Sequence, residues 1–87
     1  MAGPIAAFGF RPRLPRAGEE VRVFDASTDP MGRGIAWRAW DFGDGTTAVG
    51  GTPVHSYDEQ GCYIVTLTLA TVDGRSSSVQ HTVLVGD

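Results

Sequence analysis

The run Trp40-Asp41-Phe42-Gly43-Asp44-Gly45-Thr46-Thr47 sets two carboxylates beside two aromatic rings and two glycines. Paired acids can do general acid–base work, or they can hold a hard cation. Acid–base work needs the two groups to converge in a dry pocket that separates their pKa values. Neighbours on a strand and its turn splay apart, so Asp41 and Asp44 are not expected to act in this way. A calcium ion takes about 6–8 oxygen ligands, and a calcium-binding loop carries acids at alternating positions with a late glutamate. The spacing here does not fit that pattern. A calcium site would have to be assembled across loops, with Asp25, Asp29 and Asp44 as its candidate ligands. His55, Ser56 and Asp58 carry the residue types of a hydrolase triad, but they are too close together on one short segment to converge. Two histidines, His55 and His81, and the single cysteine, Cys62, are thin support for a transition-metal site. Neither a catalytic nor a cofactor site is expected, and calcium is the one cofactor kept open.

The elements that would position these residues read as strands. Apolar residues recur with a period of two almost throughout, and no long stretch has helical spacing. Ala6, Phe8 and Phe10 share a face of a first strand, and Val21 and Val23 mark a second. Residues 11–18 carry two prolines and read as an irregular edge segment, and residues 25–34 read as a loop. A third strand runs over 35–42 and turns at Gly43-Asp44-Gly45. Residues 46–49 and 54–57 are short extended pieces. Val65, Leu67 and Leu69 lie on the core face of the clearest strand. Asp73-Gly74 then predicts a hairpin with a type I′ turn, followed by a last strand bearing Val79, His81, Val83 and Val85. About seven short strands with frequent turns predict an all-β fold, an immunoglobulin-like sandwich of two antiparallel sheets.

Within such a strand Trp40 and Phe42 point to one side and Asp41 to the other. The rings then fill the space between the sheets, and Gly43, Asp44 and Gly45 serve the turn. His55 and Tyr57 share a face, His55 to anchor a turn and Tyr57 to pack. Tyr63, just after Gly61, opens the strongest strand as a tyrosine corner would. Trp37 is out of phase with Trp40. Either it lies on the outer surface of its sheet, a platform for a sugar ring or a collagen-like chain, or a β-bulge returns it inward. Ile64 has outward parity and would extend the Trp37 patch if the two adjoin.

Composition bounds the rest. The 87 residues make one small domain, residues 1–87, with a thin core and no deep cleft. Net charge is −3 and all seven basic residues are arginine. They are scattered apart from Arg11, Arg13 and Arg16, so a nucleic-acid partner is not expected. One cysteine excludes an internal disulfide. No run reaches the ~18 apolar residues of a membrane span, so membrane insertion by this domain is not expected. Met1 to Pro4 lacks the regions of a signal peptide. An export signal, if the parent protein is exported, is expected outside this chain, which reads as a monomeric domain excised from a larger multidomain protein.

Three motifs in order carry a family resemblance. Trp40-Asp41-Phe42-Gly43-Asp44-Gly45 is followed by His55-Ser56-Tyr57 and then by Gly61-Cys62-Tyr63-Ile64-Val65-Thr66-Leu67-Thr68-Leu69. The chain resembles the PKD (polycystic kidney disease repeat) domain over nearly its whole length. Pro4 to Phe8 and Gly18 to Val23 look like the family's first two strands. The resemblance implies an immunoglobulin-like sandwich in an extracellular or cell-surface setting. It implies a non-enzymatic module for spacing, adhesion or protein contact beside other domains of the parent chain. The alternative it suggests is an accessory module of a secreted hydrolase, binding a polysaccharide or protein fibre. Two departures stand out. The family often has an aromatic two residues before the motif tryptophan, where this chain has Arg38. Asp29-Pro30-Met31-Gly32 lacks the second aspartate that many members carry in that loop.

Overall fold

Alternation of buried and exposed residues builds seven strands in the computed structural model, which describes residues 3–87. Met1 and Ala2, the start of the segment read as carrying no leader, lie outside them. The strands are β1 (Phe8–Arg11), β2 (Glu20–Asp25), β3 (Ile35–Asp41), β4 (Thr47–Val49), β5 (Val54–Ser56), β6 (Gly61–Thr71) and β7 (Ser76–Val85). They form two antiparallel sheets, β1-β2-β5 and β4-β3-β6-β7, stacked as a sandwich.

The core is the set of inward residues that period two selects. Val21 and Val23 come from β2, Trp40 from β3, Val65, Leu67 and Leu69 from β6, and Val83 and Val85 from β7. Phe8 meets Trp40 edge to face with ring centroids 5.0 Å apart, which ties the two sheets together. The indole of Trp40 is 1% exposed, and its Nε1 donates to the carbonyl of Gly50 at 2.6 Å. A buried N–H left unpaired would cost on the order of 1–3 kcal/mol.

Two local features differ from what the sequence suggests. The Asp73-Gly74 hairpin is present, but only Gly74 has positive φ, at 90°. Gly74 N–H donates to Thr71 and Thr71 N–H to Arg75, which makes a three-residue loop closed by a left-handed glycine instead of a type I′ turn. Asp73 has negative φ, and its carboxylate accepts Arg75 Nε at 3.0 Å and 3.1 Å. In β3, Ile35 pairs with Thr71 and Trp37 with Ala70, so Ala36 is an extra residue and forms a bulge. The bulge reverses the parity upstream of itself: Ile35 turns inward and packs on the core.

The segment after β1 crosses from one sheet toward the other. Arg16 bridges Gly86 in parallel, Ala17 N–H donates to Gly86, and Gly86 N–H donates to Pro15. At the opposite end of β7, the Ser77 hydroxyl donates to Pro4 at 2.6 Å.

Candidate functional site

The acidic motif is bound up in the turn it makes. Gly43 N–H donates to Asp41 at 2.9 Å and Thr46 N–H to Asp44 at 3.1 Å. His55 Nε2, from β5, reaches Asp44 Oδ2 at 2.7 Å. The imidazole stacks on Phe42, with centroids 4.3 Å apart, and meets Tyr57 edge-on. Tyr57 donates its hydroxyl to the Phe42 carbonyl at 2.8 Å, and Tyr63 donates to Glu59 four residues upstream, as in a tyrosine corner. Burial pushes the Tyr57 phenol well above its ordinary range, and the charge of Asp44 adds to it. Burial also acts upward on Asp44, but bonds from Thr46 and His55 outweigh it and hold the carboxyl below its usual value. Gly43 has φ of 82°, and a Cβ there would come within 2.5 Å of the Ile64 carbonyl oxygen. Gly45, with φ of 92°, would meet nothing. Gly61 also has positive φ, at the mouth of β6.

The three calcium candidates do not converge, and the shared site is corrected here. Asp25 ends β2 and Asp29 lies in the loop before β3, whereas Asp44 lies beyond the far end of that strand. The seven residues of β3 separate Asp29 from Asp44 by about 23 Å, and Asp25 is held at Arg38, partway along that strand. Each carboxylate is also engaged already. Asp25 Oδ2 takes Arg38 Nε at 2.6 Å and Oδ1 takes Ser27 N–H. Both oxygens of Asp29 are gripped by Arg75, at 2.9 Å and 3.0 Å, and also accept the amides of Met31, Arg33 and Gly34. The Arg75 bond, more than any other influence, holds Asp29 far below the usual carboxylate range. Among the described residues no cluster of three or more histidine, cysteine or acidic side chains is placed to hold a metal.

Trp37 is 50% exposed on the outer face of the four-stranded sheet. Of the two alternatives for Trp37 the outer surface holds: a bulge is present, but it lies one residue before Trp37 and turns Ile35 inward instead. Arg38, on the inward parity, reaches across the end of the sandwich to Asp25. Ile64 is exposed on the same face, but it lies six residues along β6 from Ala70, the partner of Trp37. That is about 20 Å, so Ile64 does not extend the Trp37 patch. The surface next to Trp37 is instead mostly small and hydroxylic: Ala39 on β3, Thr66 and Thr68 on β6, and Ser76, Ser78 and Gln80 on β7 follow from the register, with exposed Val49 on β4 opposite Ala39. Cys62 is exposed on the same face. His81 is exposed on the edge strand β7 and packs against Phe8.

Sequence reading missed two groupings. The Asp29–Arg75–Asp73 clamp joins residues 46 apart, with Asp73-Gly74-Arg75 as its only local hint. Arg22 falls beside Arg11 through the register of β1 and β2.

Two antiparallel sheets with a tyrosine corner on β6 and a core tryptophan on β3 define an immunoglobulin-like β-sandwich. A family model described as PKD domain matches residues 1–85. The chain belongs to the PKD domain family. It is 41% identical over 71 residues to a microbial collagenase of Vibrio alginolyticus, covering 80% of this chain and 9% of that protein. It is 35% identical over 82 residues to the pre-pro-metalloprotease PrtV of Vibrio cholerae, covering 94% of this chain and 8% of that protein. The matched stretch is thus under a tenth of these relatives' length. The crystal structure of the PKD1 domain of Vibrio cholerae PrtV superposes with a TM-score of 0.86 at 31% identity, over 99% of this chain and all of that one. A structure described under the specificity of carbohydrate-binding modules from the β-sandwich superfamily superposes with a TM-score of 0.93 at 34% identity, over 99% of this chain and 35% of that one.

Proposed function

We propose that this domain is a non-catalytic accessory module of an extracellular protein, and that it holds a polymer against the flat face centred on Trp37. One observation carries the reading: a half-exposed indole stands at the end of a row of threonine, serine and glutamine side chains on the outer face of the four-stranded sheet. An indole face takes the C–H face of a sugar or the pyrrolidine rings of a collagen-like chain, and the hydroxyls beside it can bond the polymer's polar groups. The relatives named as collagenases and the structural neighbour described with carbohydrate-binding modules support a polymer as the ligand class. They also support an extracellular setting with catalysis left to adjacent domains. The test is a pull-down on insoluble chitin, cellulose and collagen. The intact domain is expected to be retained by at least one, with Trp37→Ala lost from that matrix and unchanged in melting. Equal retention of both proteins, or of neither, defeats the reading.

Spacing between neighbouring domains is a second reading, favoured by the path of the chain. Pro4 is bonded at the start of β7 and Gly86 at its end, so the polypeptide enters and leaves at opposite poles of a body 44 Å long. Small-angle scattering of two copies in tandem should give a maximum dimension near twice that length. A value close to that of one copy would argue against a spacer.

A further inference from the structure

On the opposite side of the sandwich from Trp37, a groove of about 750 Å³ runs along the edge strand β1, lined by Phe8, Phe10, Arg11, Arg13, Phe24 and His81. Its floor depends on Gly9. The Phe24 ring lies across that residue, where a Cβ would come within 2.5 Å of the ring. The guanidinium of Arg11 stands 5.8 Å from the ring centroid. Arg11 is also the direct cross-strand partner of Arg22, and the two line an adjoining depression with Pro12, Glu20 and Val54. Like charges directly opposite on a sheet face are destabilising, and opposite charges there would be favourable. In a chain of net charge −3, three arginines nevertheless gather here. Among the described residues the arginine ion pairs are Arg38 with Asp25 and Arg75 with Asp29 and Asp73. None of them engages Arg11, Arg13 or Arg22, and Glu20, on the same face, pairs with neither neighbour.

We propose that this groove binds an acidic polysaccharide. Each guanidinium is a planar fork that matches a carboxylate or sulfate. The exposed part of Phe24 offers a surface for the apolar face of the sugar ring bearing that group. A peptide is the poorer fit. β1 is four residues long and ends at Pro12, so an added peptide strand would find few backbone partners. The sugar instead uses what the groove supplies, which is rings interleaved with cations. This surface lies on the three-stranded sheet and its edge, where only His81 comes from β7, and it owes nothing to Trp37, so it stands apart from the polymer face proposed above.

Calorimetric titration at low ionic strength tests it with polygalacturonate and dextran sulfate as the carboxylate and sulfate arms, and with neutral dextran and polyglutamate alongside. Binding is expected for at least one acidic polysaccharide and not for neutral dextran, and it should weaken with added salt. Arg11→Ala and Arg22→Ala should each lose about tenfold in affinity or more, the scale of one charge-assisted hydrogen bond. Phe24→Leu keeps the apolar filling and should weaken polysaccharide binding severalfold. Trp37→Ala should leave it unchanged, and thermal melting should show every variant folded. Silence with both acidic polysaccharides overturns the proposal. So does equal affinity for polyglutamate with Phe24→Leu unaffected, which would make the groove a peptide site. Loss of binding in Trp37→Ala with the arginine variants unaffected would move the site to the other face.

Discussion

Gly43 and Gly45 flank the same aspartate, have φ of 82° and 92°, and differ in one respect. Replacing either by alanine puts a Cβ on a left-handed residue, at a cost of roughly 1–2 kcal/mol. Both replacements also restrict the unfolded chain to the same small extent, so that contribution cancels between them. Only at Gly43 does the new atom strike backbone, 2.5 Å from the Ile64 oxygen and 2.9 Å from its nitrogen. Those atoms belong to β6, the central long strand, and cannot rotate away as a side chain would. Overpacking of this kind costs about 1–3 kcal/mol more. Gly45→Ala should therefore lose about 1–2 kcal/mol, and Gly43→Ala about 2–5 kcal/mol. In a domain of this size 1 kcal/mol moves Tm by about 4–8 °C. Thermal unfolding followed by circular dichroism should place Gly43→Ala at least about 4 °C below Gly45→Ala. If the two variants melt together, the close approach of the β3 turn to β6 does not constrain the fold, and the reasoning fails.

The tyrosines separate in the same assay. Tyr57→Phe leaves the Phe42 carbonyl without its buried partner and should cost about 1–3 kcal/mol, whereas Tyr63→Phe frees an exposed Glu59 carbonyl that water can satisfy and should cost about 0.5–1.5 kcal/mol. The opposite order in Tm would contradict the assignment. Acid should weaken the domain through carboxyls whose folded pKa is depressed: Asp29 and Asp73, chiefly by Arg75, and Asp25 and Asp44, whose hydrogen bonds outweigh burial. Because folding lowers these pKa values, their contribution is complete above the unfolded value near 4 and drains away as pH falls through the folded values. Tm should show no acid loss from them down to about pH 5 and drop below about pH 4, with a shallower acid limb in the Asp25→Asn/Asp29→Asn variant. An acid limb of unchanged slope in that variant would show that these two groups are not responsible.

What could be read in advance depended on whether a feature is local. Val65, Leu67 and Leu69 alternate because one face of β6 is buried, so strand and face were both legible. Trp40, Phe42 and Tyr57 were legible as core for the same reason. Parity gives a face, however, and says nothing of position along it. Trp37 and Ile64 therefore shared a face with the distance between them open, and they stand about 20 Å apart. The bulge at Ala36 exists only in the pairing with Thr71 and Ala70, and no property of Ala36 announces it. The carboxylates looked available to a cation because their partners are distant in sequence. Arg75 is 46 residues from Asp29, and Arg38 is 13 from Asp25. The arginines looked scattered for the complementary reason, since only the β1–β2 register sets Arg22 against Arg11.

The anchoring of β7 at both ends decides how the domain meets a pull. A load on the two termini acts lengthwise on β1 from one pole and on β7 from the other. β7 is laddered to β6 over ten consecutive residue pairs, and β1 to β2 over four. Pulled along their own axes, these strands strain all the rungs of each ladder together instead of peeling them one by one. The same bonds pulled sideways would open in sequence. A sandwich strung this way is stiffest in the direction in which a tethered neighbour would tug on it.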